Sequence, residues 1–164
     1  MAETRPEWSH IDPSGKIKMV DVSHKDETAR EARAEATVIV SPETMARICG
    51  GNIPKGNVFE TARVAGVMAA KKTWDLIPLC HPLRLTGIDV DFELDEANHR
   101  IMVTAAVRTR DRTGVEMEAM TAAAHASLTI YDMCKAIDKG ITITDLRLIY
   151  KSGGKSGEYK RIRE

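Results

Sequence analysis

The sequence has few cysteines, no net charge and no long hydrophobic run. Its three cysteines, Cys49, Cys80 and Cys134, are an odd number without a CxxC pair. Neither a disulfide framework nor a thiolate metal site is therefore indicated, and a reducing cytoplasm suits the chain best. The longest apolar or glycine run, VAGVMAA, is too short to cross a bilayer, and the start MAETRPEWSH lacks the apolar core of a signal peptide. We expect a cytoplasmic protein without membrane attachment.

Aromatic residues are also scarce, at 4% of the chain, and 24 Lys and Arg balance 24 Asp and Glu. No overall electric field recruits nucleic acid, so any anion site must be local. With 164 residues, of which 43% are hydrophobic, the chain is long enough for a single domain with a proper core. We expect the polar head, at least over residues 1–16, and the charged tail over residues 157–164 to be loosely ordered.

Three helices are predicted from capping residues and periodicity. Ser41 and Pro42 begin a short helix that Gly50 and Gly51 end. Asn57, with Glu60 three residues later, begins a second helix that continues through residue 70. The long apolar stretch 115–139 predicts a third helix that ends at Gly140.

Strands are predicted on both sides of these helices. Residues 88–94 and 101–107 alternate between apolar and polar, which is typical of a hairpin with one buried face. Residues 141–150 form another β-rich run, and residues 31–40 are interpreted as extended although ETAREARAEA favours a helix by propensity. The order matches a split βαβ pattern, so we expect an α+β, ferredoxin-like fold with a four-stranded antiparallel sheet and helices on one face.

The long predicted helix carries a narrow polar stripe. At about 100° per residue the stripe consists of Glu118, Thr121, His125, Thr129, Asp132 and Lys139. Buried unpaired charge is costly, so such a stripe faces water, a partner or a ligand. Asp132 and Lys135, one turn apart, form a candidate acid and base pair, although an exposed charge pair at this spacing is more often part of a solvated helix face.

Three further segments have the chemistry of a binding site. In IPLCHPL two prolines hold Leu79, Cys80 and His81 in a rigid segment, where His81 is either a ligand contact or a satisfied core histidine. The loop KSGGKSG, with Lys151 and Lys155, favours anion binding over a solvated turn, but Ile149 occupies the place of the first Walker A glycine.

The third segment is PKGN, in which Lys55 precedes a predicted helix N-terminus, a combination that suits phosphate. Arg30 and Arg33 on the first strand add positive charge. Together the basic side chains could hold a polyphosphate if the fold assembles them.

The strings DLIPLCHPL, GVEMEAMTAAAHASLTIYDMCKA and KSGGKSG, with MVDVS and AREARAEA before them, extend in order from about Met19 to Gly157. In these strings the sequence resembles the cyclic pyranopterin monophosphate synthase family of molybdenum cofactor biosynthesis. The resemblance implies an enzyme of the lyase type that converts 3′,8-cyclo-7,8-dihydro-GTP to cyclic pyranopterin monophosphate and pyrophosphate. It also implies a ferredoxin-like homohexamer, a trimer of dimers, with active sites at the dimer interfaces.

The resemblance also implies roles for individual residues. Asp132 and Lys135 correspond to the catalytic pair, and Leu79, Cys80, His81, Glu116, Met117 and Glu118 correspond to substrate-contacting segments. The cations that handle the triphosphate correspond to Arg30, Lys55, His81 and Lys151, to which we add Lys155. No redox cofactor is needed, and no dedicated carboxylate cage for a metal is evident, so any Mg²⁺ would arrive with the substrate phosphates. The position of His125 has no implied role.

The rival class is a non-catalytic ferredoxin-like module. RNA-binding modules of this kind expose aromatic residues on their central strands, whereas here Asp89, Asp91 and Glu93 alternate along the first hairpin strand. RNA binding is therefore disfavoured. A sensor that binds a nucleotide without converting it remains an open alternative.

Overall fold

The computed structural model describes residues 10–12 and 14–162 of the chain. Within these residues the elements are β1 (Thr28–Ile39), α1 (Pro42–Cys49), α2 (Val58–Lys71), α3 (Thr73–Leu76), β2 (Leu85–Asp95), β3 (Arg100–Asp111), α4 (Glu116–Cys134), β4 (Thr142–Ser152) and β5 (Tyr159–Lys160). The predicted loose order of the two ends falls partly on residues 1–9, 13 and 163–164, which lie outside the described residues.

The described strands form one antiparallel sheet in the order β2-β3-β1-β4-β5. The α+β class is confirmed, but the prediction of four strands is wrong, because the tail adds β5 at the edge. After a turn in which the N–H of Gly157 donates to the carbonyl of Gly154, Tyr159 pairs with Lys151. A strand of two residues is too short to show alternation in the sequence.

The segment that favours a helix by propensity is the strand β1. Its even-numbered residues Ala32, Ala34, Ala36 and Val38 are buried, and it pairs with β3 on one side and β4 on the other. Small side chains let α4 approach the sheet closely, and the gain from two ladders and a buried face outweighs a propensity difference of a few tenths of a kcal/mol per residue. The extended interpretation of residues 31–40 is confirmed.

The helices α2 and α4 pack on one face of the sheet, the face that carries these alanines. In α4 the residues Ala119, Ala122, Ala123 and Ala126 have no exposed surface. Gly66 of α2 allows the two helices to pack closely, because a Cβ there would lie 3.0 Å from the carbonyl oxygen of Ala122. The predicted caps of the first two helices are confirmed, since Ser41 and Asn57 each accept a hydrogen bond from the N–H three residues later.

The predicted end of the long helix is wrong, because α4 stops at Cys134 rather than at Gly140. The N–H groups of Ile137 and Asp138 both donate to the carbonyl oxygen of Cys134, which tightens the chain into turns. The Asp138 carboxylate then accepts a hydrogen bond from the N–H of Ser41 at 2.7 Å. This long-range contact draws the segment to the start of α1, so Lys139 does not continue the polar stripe.

Candidate active site

Six of the predicted site residues line one cavity of about 400 Å³ at the N-terminus of α4. They are Leu79, Cys80, His81, Glu116, Met117 and Glu118. The first three lie in the irregular segment between α3 and β2, where two prolines prevent regular structure. The sequence prediction grouped these residues only by resemblance, and the fold brings them together. We call this space the first cavity.

The segment before β1 forms another wall of the first cavity. Val20, Val22 and Lys25 line it, and Nε2 of His81 lies 2.9 Å from the carbonyl oxygen of Val20. A carbonyl only accepts, so Nε2 carries the proton in this arrangement. The sequence analysis missed Lys25, because it treated the polar head as a region apart from the site. The string MVDVS, which is part of the resemblance, was the available signal.

Glu118 is a buried carboxyl group in the wall of the first cavity. Only 4% of the residue is exposed. Burial raises the pKa of Glu118 to about 7, partly offset by a hydrogen bond from its own backbone N–H, and the nearby charge of Glu116 adds to the increase. Burial and the charge of Glu118 also raise the pKa of the Cys80 thiol. The cavity therefore contains a carboxyl group that can hold or release a proton near neutral pH.

A second cavity of about 690 Å³ adjoins the first, and both are lined by Lys25, Thr113, Gly114 and Glu116. Arg30 and Lys155 line the second cavity. The guanidinium of Arg30 is fixed by hydrogen bonds from Nε to the carbonyl of Asp111 at 2.9 Å and from Nη2 to the carbonyl of Arg112 at 3.0 Å.

The glycine loop packs against Arg30. Gly154 has a φ of +72°, and a Cβ at this position would overlap the Arg30 guanidinium. Glycine is therefore required here both for the backbone conformation and for the close approach. Lys151 lies beside the loop, where Nζ donates to Ser156 and lies 3.9 Å from a carboxylate oxygen of Glu116.

Lys55, Asp132 and Lys135 form a separate cluster at the other end of α4. Nζ of Lys55 lies 2.9 Å from Oδ2 of Asp132, and Nζ of Lys135 lies 2.6 Å from Oδ1. Hydrogen bonds from Lys135 and Lys55 lower the pKa of Asp132 to about 2, and the hydrogen bond to Asp132 raises the pKa of Lys135. At neutral pH the carboxylate is ionised and Lys135 is the proton donor of the pair.

The cluster does not contact either cavity within one chain. Glu118 and Asp132 are 14 positions apart on α4, which corresponds to about 21 Å along the axis. Eight predicted site residues therefore line the two cavities, and Lys151 lies beside the lining residues Ser156 and Glu116. Lys55, Asp132 and Lys135 lie together elsewhere. Arg33 belongs to neither group, because it pairs with Glu31 and stacks on Tyr150.

The polar stripe of α4 is only partly exposed to solvent. Glu118 and Thr121 are buried, whereas Asp132 is exposed. His125 lies between them, with Nδ1 at 2.9 Å from the carbonyl of Thr121.

Among the described residues, no group of three or more His, Cys, Asp or Glu side chains is arranged to hold a metal ion. Nor does that part of the chain contain a helix long and apolar enough to cross a membrane.

Comparison with known proteins gives one consistent family. The MoaC family model matches residues 19–154. Three relatives bear the name cyclic pyranopterin monophosphate synthase. The protein of Pelobacter propionicus is 58% identical over 94% of this chain and 96% of its own length. Those of Pelotomaculum thermopropionicum and Roseiflexus sp. are each 56% identical, over 93% and 92% of this chain and 90% and 96% of their own lengths.

Proposed function

Because this chain belongs to the MoaC family, we propose that it is a cyclic pyranopterin monophosphate synthase, a lyase-type enzyme of molybdenum cofactor biosynthesis. It converts 3′,8-cyclo-7,8-dihydro-GTP to cyclic pyranopterin monophosphate and releases pyrophosphate. The observation that carries the proposal is the shared name of three relatives that align over more than nine tenths of the chain.

The two adjoining cavities suit the ring system and the triphosphate of this substrate. The first has the size of a ligand pocket and combines apolar side chains with His81, Glu116 and Glu118. We assign the ring system to it, with Leu79, Cys80 and Met117 as its apolar contacts. We assign the phosphates to the second cavity and to Arg30, Lys151 and Lys155, whose positive charge is in place before pyrophosphate leaves.

Two groups are poised for proton transfer, and a third positions one of them. Glu118 exchanges a proton near neutral pH, Lys135 is a donor, and ionised Asp132 holds Lys135 and Lys55 in position. Opening and rebuilding the rings requires proton transfers at several atoms, which these groups supply. The rearrangement is redox-neutral overall, so we propose that no redox cofactor takes part and that Mg²⁺ enters only with the substrate phosphates.

These groups meet in one site only if a second copy of the chain contributes. The separation of about 21 Å along α4 exceeds the reach of any side chain. We therefore propose that the cluster of Lys55, Asp132 and Lys135 from one copy completes the cavities of another.

The outer face of α4 supports a two-fold arrangement. Met117, Ala124, Leu128 and Lys135 follow one another at spacings of seven, four and seven residues, so they share one face of the helix. Met117 and Leu128 are large exposed apolar residues. If a two-fold axis passes midway between Ala124 and Leu128, Ala124 of each copy lies opposite Leu128 of the other, and Met117 of each copy lies opposite Lys135 of the other. An isologous contact requires this reciprocal pairing. Lys135 of the second copy then lies at Met117, in the wall of the first cavity.

The remaining assignments follow from the same family membership. We propose a homohexamer built from three such dimers, acting in the cytoplasm, with each chain folded as a single domain. The antiparallel order β2-β3-β1-β4 and the element order support a ferredoxin-like classification with β5 as an added edge strand.

Turnover distinguishes the synthase from a nucleotide sensor. We expect the unaltered protein to release pyrophosphate and form the fluorescent pterin from the cyclised GTP derivative. Asp132→Asn should form neither, because it removes the charge that holds Lys55 and Lys135. Asp145→Asn, at a left-handed position that asparagine tolerates, is the matched control and should remain active. Tight binding of the intact substrate without any product by the unaltered protein would favour the sensor.

A further inference from the structure

The wall of the second cavity contains two polar residues to which no role has been given, Thr28 and Arg112. Thr28 is the first residue of β1, and Arg112 lies between β3 and α4. The same wall contains Lys25, Arg30 and Lys155 but only two carboxylates, those of Asp26 and Glu116. The cavity is therefore positively charged and suits an anion.

Both residues contain a polar atom that lacks a partner. Within the described part of the chain, Nε of Arg112 and Oγ1 of Thr28 are shielded from water and make no hydrogen bond. Buried polar atoms are nearly always paired, and an unpaired one destabilises the protein. Two such donors in the wall of one cationic cavity indicate that the site is incomplete without a bound acceptor.

Arg30 cannot supply the missing contacts alone. Its Nε and Nη2 are already donated to the carbonyls of Asp111 and Arg112. The backbone carbonyl of Arg112 therefore accepts a hydrogen bond from Arg30, whereas the Nε–H of the Arg112 side chain has no acceptor. Among the arginines of this cavity, Arg112 is the one whose Nε remains to be paired.

We propose that Arg112 and Thr28 bind the outer phosphates of the substrate and the pyrophosphate product. When the anion enters, the Arg112 guanidinium turns toward it and presents Nε and a terminal nitrogen as a fork, and the Thr28 hydroxyl donates to a further oxygen. The identity of the anion rests on the proposed function, whereas the anion site itself rests on the cavity and its unpaired donors.

A calorimetric titration of the full-length protein with inorganic pyrophosphate tests this anion site directly. Arg112→Gln should weaken binding at least tenfold, because a charge-assisted hydrogen bond is lost. Thr28→Val keeps the strand-forming shape and should weaken binding about threefold. Arg47→Gln, on α1 where Arg47 pairs with Glu43, is the control and should bind as the unaltered protein does.

Two further measurements separate direct binding from a structural role. In a ¹⁵N spectrum, the Nε–H signal of Arg112, assigned by its loss in Arg112→Lys, should shift on addition of pyrophosphate. Thr28→Val should raise the melting temperature of the anion-free protein while it weakens pyrophosphate binding, because it removes an unpaired buried hydroxyl. A purely structural role for Thr28 predicts a lower melting temperature and unchanged affinity.

The outcomes also distinguish this inference from the proposed function. Unchanged pyrophosphate affinity in both variants, in a protein that forms the pterin, would overturn the inference and leave the function standing. Weakened affinity in a protein that never forms the pterin would support the anion site and contradict the synthase. If Arg112→Gln does not fold, Thr28→Val decides the question by the same titration, and unchanged affinity in that variant overturns the inference. Arg112→Lys, which keeps the charge but lacks the fork, should lose part of the affinity.

Discussion

Replacing Glu118 by glutamine should change how the stability of the protein depends on pH. The Glu118 carboxyl group has a pKa of about 7 in the folded chain, against an ordinary value of 4.5. The folded state therefore binds this proton more tightly than the unfolded state does. Its contribution to stability is fully present below pH 4.5, decreases as the pH rises toward 7, and is lost above that.

The magnitude follows from the difference between the two pKa values. A difference of about 2.5 units, at 1.36 kcal/mol each, corresponds to about 3 kcal/mol. Glutamine resembles the protonated acid and does not titrate, so Glu118→Gln should match the unaltered protein near pH 4.5. It should be more stable by up to about 3 kcal/mol at pH 8.

The assay is denaturant unfolding of both proteins between pH 4.5 and pH 8 at one protein concentration. The two proteins differ only at position 118, so the pH-dependent part of the difference in unfolding free energy reports Glu118 and the effect of its charge on neighbours such as Cys80. A difference that does not change with pH would refute the reasoning.

The proposed assembly adds a second test of the same carboxyl group. Lys135 of a second copy would lower the pKa of Glu118 and reduce the pH-dependent difference. Leu128→Glu places like charges in the proposed interface and should separate the copies. The difference between glutamate and glutamine at position 118 should therefore be larger in the Leu128→Glu background.

Two smaller predictions concern the scaffold and the phosphates. Gly66→Ala should lower the unfolding free energy by about 1 to 3 kcal/mol, because the new Cβ would lie 3.0 Å from the carbonyl of Ala122 and 3.1 Å from Val90; an unchanged melting temperature would contradict this. Lys151→Ala should weaken substrate capture at least severalfold, because it removes a phosphate counter-charge that lies beside Glu116 in the wall of the two cavities. Lys71→Ala on α2 should not weaken it, and undiminished affinity of the Lys151 variant in direct titration would count against this role.

Local signals predicted most of the fold. The caps at Ser41 and Asn57 and the alternation in the hairpin are short-range features, and the structure has the corresponding elements. The end of α4 could not be predicted in the same way, because it depends on a hydrogen bond between Asp138 and Ser41, 97 residues apart. Strand β5 likewise depends on pairing with β4, and its own two residues carry no periodic signal.

The site residues likewise divide into those with a local sequence signal and those that depend on long-range contacts. Leu79, Cys80 and His81 were singled out by their prolines, and Lys151 and Lys155 by their glycines, before any fold was known. The chemistry of each residue in the polar stripe of α4 depends on its burial. The sequence pattern places Glu118 and Asp132 on the same polar face, so it could not show that Glu118 is buried while Asp132 is exposed. Arg112 had no sequence signal, because its importance comes from an unpaired nitrogen in a cavity formed by distant segments.

Co-expression of two inactive variants tests the central claim most directly. Asp132→Asn removes one half of the proposed site and His81→Ala removes the other, so each alone should release no pyrophosphate. If the halves come from different copies, a mixed dimer contains one intact site of two, and random mixing should restore about a quarter of the unaltered activity. Mixed dimers that are isolated through two different tags and still release no pyrophosphate would contradict the account.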